Sequence, residues 1–66
     1  MKPAQLAKPE TLGQVAPGLR AQLADGRIIF VTARVHGDVF GRLVVDGKDG
    51  PLTFYAGGLA VEAVVR

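Results

Sequence analysis

His36 and Asp38, two residues apart, come closest in this chain to an acid/base pair. An imidazole held by a carboxylate needs a nucleophile to activate, and the sequence contains neither serine nor cysteine. His36 therefore reads as a turn residue. Asp25, Asp38, Asp46 and Asp49 all fall at expected turns or strand ends, where the carboxylate serves the local backbone. Asp46-Gly47-Lys48-Asp49-Gly50 echoes the start of a calcium loop, yet the bidentate glutamate six residues beyond its glycine is missing and no helices flank it. A single histidine and no cysteine cannot build a zinc site. Gly57-Gly58 with Gly50 lacks the strand-then-helix context in which a glycine loop cradles phosphate. The chain is thus expected to be no enzyme and to hold no metal or cofactor; what remains is chemistry by contact.

Arg42 is the side chain best suited to contact. The expected strand register sets it between Thr32 and Tyr55, as a cation over the Tyr55 ring or as a partner for a carboxylate or phosphate. Its placement depends on the strands. From Gly18 to Arg66 the chain is a run of strand-like segments, approximately residues 19–24, 27–35, 39–46, 52–56 and 59–65, separated by Asp25-Gly26, His36-Gly37-Asp38, Gly47-Lys48-Asp49-Gly50 and Gly57-Gly58. The fold expected is all-β: a small five-stranded antiparallel meander or barrel over residues 18–66, preceded by an extended N-terminal arm over residues 1–17.

The turns fix which side chains share a face. Asp25-Gly26 suits a two-residue primed turn. A three-residue loop at His36-Gly37-Asp38 sets Val35 against Val39, Val31 against Leu43 and Ile29 against Val45. A four-residue loop at residues 47–50 then sets Val45 against Leu52 and Leu43 against Phe54. On this reading the core face is Ile29, Val31, Leu43, Val45, Leu52, Phe54 and Val61. The reverse face places Phe40 beside Arg34, Val44 between Phe30 and Thr53, and Arg42 beside Tyr55. That face is too apolar for water alone, with Ile28, Phe30, Phe40, Val44 and Tyr55 together, and points to a partner.

Composition agrees with that expectation. Sixty-six residues allow one domain, which buries only about 60% of its unfolded surface and usually needs a staple. Without cysteine there is no disulfide, and with 48% hydrophobic residues the chain is rich for a lone monomer of this size, so oligomerisation is the staple expected. The net charge of +2 comes from scattered basic residues rather than the dense stripe of a nucleic-acid binder. No stretch approaches the roughly 18 apolar residues of a membrane span, and the first residues lack a signal-peptide core. The default expectation is a soluble cytoplasmic protein. In the arm, Pro3, Pro9 and Pro17 break any long helix, and Leu6, Leu12 and Val15 are its candidate anchors on a neighbouring subunit.

Two family resemblances give these surfaces a use. Gly41-Arg42-Leu43-Val44-Val45, followed by Leu52-Thr53-Phe54-Tyr55, Gly58 and Glu62, resembles the head decoration proteins of tailed bacteriophages related to lambda. That resemblance implies a compact β fold with an Ala/Pro/Gly-rich arm that cements the capsid, commonly as a trimer. The partners implied are capsid subunits or further copies of itself, and the location implied is the virion, assembled in the host cytoplasm. The succession of arm, strand, Asp25-Gly26-Arg27, long bent strand, turn and three short strands is also similar to Sm-like and SH3-like small barrels. Some of those bind RNA as rings, and others dimerise plasmid partition proteins. High apolarity and weak charge favour the assembly protein, with Leu6, Leu12, Val15, Phe30, Arg34, Phe40, Arg42, Val44 and Tyr55 as its contact residues. On that account Phe40→Asp, or removal of residues 1–15, leaves the fold intact and abolishes assembly. A nucleic-acid-binding module and a small protein-binding regulator are the alternatives.

Overall fold

The computed structural model describes residues 9–65. Five strands form one antiparallel sheet: β1 (Arg20–Leu23), β2 (Ile28–Val35), β3 (Asp38–Val45), β4 (Lys48–Tyr55) and β5 (Val61–Val65). Their spatial order is β4-β3-β2-β1-β5. The first four strands form the expected meander. The fifth returns to pair with β1, which leaves β4 and β5 as the edges of a sheet that curls without closing.

The turns differ from those expected, and the registers follow them. Asp25-Gly26 does close the β1–β2 hairpin, but within a three-residue loop, Ala24-Asp25-Gly26, where only Gly26 takes positive φ. The Leu23 amide donates to the Arg27 carbonyl across its base at 2.7 Å. Between β2 and β3 the loop is His36-Gly37, with φ of 51° and 86°, and between β3 and β4 it is Asp46-Gly47, with φ of 53° and 77°. Two consecutive residues at positive φ make a type I′ turn, whose twist matches that of the strands it joins. Asp38 and residues 48–50, expected in loops, are therefore strand residues.

Two bulges complete the registers. One lies at Thr32 in β2, between the Val31–Gly41 and Ala33–Phe40 pairs. The other takes in Gly50 and Pro51 of β4, between the Val44–Asp49 and Arg42–Leu52 pairs. Across β2 and β3 the sides come out as expected, with Ile29 opposite Leu43 and Val31 opposite Gly41. Across β3 and β4 they are reversed. Phe54 lies opposite Phe40 and Leu52 opposite Arg42, while Thr53 and Tyr55 take the core side opposite Gly41 and Val39. Strand side chains alternate with a period of two, so an odd error in the pairing sum turned the whole of β4 over. Leu52 and Phe54 are accordingly 52% and 53% exposed, not core residues, and Val45 at the strand end is exposed as well.

The side chains that replace them come from the segment expected to serve as an arm. Leu12 and Val15 are fully buried and cap a core of Ala21, Leu23, Ile29, Val31, Val39 and Val61. A short 3-10 turn over Leu12–Gln14 presents both inward. Backbone bonds hold this segment down: the Leu12 amide donates to Leu59 at 2.8 Å, Gly13 to Gly57 at 2.9 Å, Val61 to Glu10 at 2.9 Å, and Gly18 to Val31 at 2.8 Å. Burying Leu12 and Val15 contributes about 1.5–3 kcal/mol each, a large share of what a domain this small can have. Neither is available as an anchor on a neighbouring subunit. Leu6 lies outside the described residues.

One corner of the molecule admits no side chain. The 3-10 turn, the His36-Gly37 turn and the β4–β5 connection converge so closely that a Cβ on Gly57 would fall on the Gly37 carbonyl oxygen. Asp38 locks the corner by accepting the Gly57 amide at 2.7 Å.

Candidate contact surface

The reverse face of the sheet is built from one continuous row and its neighbours. The pairing sets Val65, Arg20, Phe30, Arg42 and Leu52 side by side across β5, β1, β2, β3 and β4. Ile28 and Val44 flank that row on one side, and Phe40 with Phe54 on the other. All three phenylalanines of the chain therefore share this face. Phe40 and Phe54 meet edge to face with centroids 5.1 Å apart, and the Arg20 guanidinium stands 4.8 Å above the Phe30 ring.

The face is curved. Arg20 on β1 and Asp49 on β4 are separated by two strands, a span of about 14 Å in a flat sheet at 4.8 Å per spacing. Their charged ends approach to 3.9 Å, with the Arg20 side chain lying over Phe30 on the way. Arg42 donates from Nη1 to the Gly50 carbonyl at 2.9 Å, across the β4 bulge. Both arginines of the row are thus engaged within the chain. Phe30, Phe40 and Val44 are half-buried under this arrangement, and the apolar surface left open lies at Leu52 and Phe54 on β4 and at Val65 on β5.

Of the residues expected to meet a partner, Phe30, Phe40, Arg42 and Val44 come together here. Tyr55 does not; it lies on the core side opposite Val39 and packs against the core cluster. Arg34 also leaves the face, because the Thr32 bulge turns it toward the 3-10 turn, where its Nη1 lies 3.5 Å from the Gly13 carbonyl. Leu12 and Val15 are inside the core. Sequence reading missed Leu52, Phe54 and Arg20 as members of the face. The Asp46-Gly47 turn alone would have left the first two on the core side; the bulge at Gly50 and Pro51 brings them to this face.

The remaining candidates for chemistry are dispersed. Asp38 is engaged by Gly57, so no Asp38–His36 pair is formed, and His36 stands exposed in its turn. Asp25 accepts from the Arg27 amide at 3.0 Å and from its Nε at 2.8 Å, and these contacts, the amide first, hold its carboxyl below the ordinary value. A depression of about 140 Å³ lined by Leu23, Ala24, Asp25, Leu59 and Ala60 lies beside that loop. It is small against the roughly 300–1,000 Å³ of ligand pockets. Among the described residues no three His, Cys, Asp or Glu side chains group to hold a metal ion, and no helix is long and apolar enough to cross a membrane. No protein-family model, curated protein or solved structure matches this chain.

Proposed function

We propose that this chain is a structural assembly protein, a decoration or cement subunit of the kind carried by tailed-phage heads, which binds neighbouring capsid subunits through the reverse face of its sheet. The observation that carries the reading is the exposed pair Leu52 and Phe54, continuous with Phe30, Phe40 and Val44 on one curved surface. Each copy buries a modest apolar area, and a lattice of capsid subunits multiplies weak contacts through avidity. The virion is then where the protein works, after assembly in the host cytoplasm. The contact falls to the sheet face, since residues 11–15 serve the chain's own core.

A nucleic-acid module of the Sm-like or SH3-like kind is the second reading, favoured by the alternation of Arg20, Phe30 and Arg42 in one row. The protein partner is preferred because affinity for phosphate grows with the number of cations presented, and this row offers two arginines, one with Asp49 3.9 Å away, beside the exposed apolar Leu52 and Phe54. Gradient sedimentation of a lysate from the protein's native source tests the proposal. The wild-type chain is expected to travel with large particles, and Phe54→Asp, shown folded by circular dichroism, to stay at the top. If both stay at the top, or if binding to short single-stranded RNA appears and vanishes with salt, the assembly reading fails.

A further inference from the structure

The β4 edge offers a second contact, distinct from the reverse face. β4 pairs with β3 on one side only, and among the described residues the backbone of Leu52–Tyr55 makes no bond to any other element. A free edge presents unpaired amides and carbonyls, so its natural occupant is another strand. The two halves of this edge differ. Residues 48–51 carry the usual guards, Lys48, Asp49, Pro51 and a bulge, whereas Leu52-Thr53-Phe54-Tyr55 is uncharged, rich in strand-forming side chains and open. The opposite edge is covered where it begins, because Val61 donates to Glu10 and Ala60 bridges to Thr11.

We infer that the occupant is a second copy of this chain, paired antiparallel through β4 about a two-fold axis at Thr53. A continuous sheet with both reverse faces on the same side requires the axis to pass through a residue, since side chains alternate with a period of two. Centring on Thr53 sets Leu52 of each copy against Phe54 of the other, so the two exposed large apolar side chains of the strand meet across the ladder. The uncharged centre lets two copies of a chain with net charge +2 meet without like charges in register. Pro51 ends the pairing before it reaches Lys48 and Asp49. Two five-stranded sheets then join into one, and the Phe40 and Phe54 surfaces become contiguous.

The sequence has no cysteine, so a single introduced thiol reports cleanly. In the proposed pair Thr53 faces its own copy at about 4.5–5.5 Å between Cα atoms, within reach of a disulfide. Thr53→Cys is expected to oxidise to a covalent dimer much faster than Ala63→Cys on β5, and the untagged wild type to sediment at twice the 6.9 kDa mass of the chain. Leu52→Lys with Phe54→Lys is expected to give a monomer, and Leu52→Lys with Phe54→Glu to restore a salt-sensitive dimer. Equal cross-linking at both positions, cross-links only between Thr53→Cys and Ala63→Cys chains, or a wild type that stays monomeric at high concentration would overturn the inference. The Thr53→Cys and Ala63→Cys cross-links and the wild-type sedimentation do not bear on the capsid reading, because Thr53 belongs to the edge and points away from the reverse face; the Leu52 and Phe54 variants alter that face too and are read for dimerisation alone.

Discussion

Phe40 and Phe54 touch edge to face across the β3–β4 ladder, with their ring planes at 64°. The contact depends on the bulge at Gly50 and Pro51, because the Val45–Lys48 register set by the Asp46-Gly47 turn, carried on unbroken, would put Phe54 opposite Val39 on the core side. One extra residue in β4 therefore decides that the chain carries a three-phenylalanine surface and has to complete its core from elsewhere.

Because Phe54 is half exposed, Phe54→Ala is expected to cost about 1–2 kcal/mol, from the lost ring pair and partial burial, against roughly 3–5 kcal/mol for a core phenylalanine. A denaturant midpoint measures this. A loss of core size would place Phe54 inside the fold.

Leu12 stands in the opposite position. It is fully buried, so Leu12→Ala is expected to cost about 2–5 kcal/mol, enough to unfold much of a marginal domain. Removing residues 1–15, expected from sequence to leave the fold intact, should instead abolish it, whereas removing residues 1–8 keeps every described contact. Circular dichroism of the two truncations separates these outcomes.

Gly57→Ala tests the glycine corner. The added methyl would meet the Gly37 carbonyl, so either the turn or the β4–β5 connection must move, breaking the bond from the Gly57 amide to Asp38. A destabilisation of at least about 1–3 kcal/mol is expected in thermal unfolding. Gly58→Ala, with open space around it, serves as the control.

The acid limb of the stability profile carries one further expectation. The folded state holds the Asp25 carboxyl low, chiefly through the Arg27 amide and then its guanidinium. The contribution is therefore complete above the ordinary carboxylate value of about 3.9 and is lost as pH falls through the lower folded value. Nuclear magnetic resonance titration should find Asp25 below that value, and Asp25→Asn should flatten the acid limb slightly. A titration at or above it would mean that the Arg27 contacts do not persist in solution.

The strands and their antiparallel pairing were legible because alternation and glycine turns are local signals. Ile29, Val31 and Val61 were placed in the core on alternation alone. The side of β4 was not legible, since Gly50 and Pro51 look like loop residues and in fact form a bulge within the strand. Nor was the role of Leu12 and Val15, because three prolines in 17 residues and no periodicity give a closing segment the look of a tail. Phe30, Phe40, Arg42 and Val44 were grouped by the sequence because the sides of β2 and β3 survive the two-residue slip between them; Tyr55 and Arg34 were misplaced by the odd register and the Thr32 bulge.

The central claim is that the reverse face is buried against a protein subunit in the working assembly. Hydroxyl-radical footprinting of the particle-bound chain against the free chain measures this side chain by side chain. The account predicts strong protection of Leu52, Phe54 and Phe40 on binding, with exposed His36 unchanged. Binding that leaves Leu52 and Phe54 as reactive as in the free chain would contradict it.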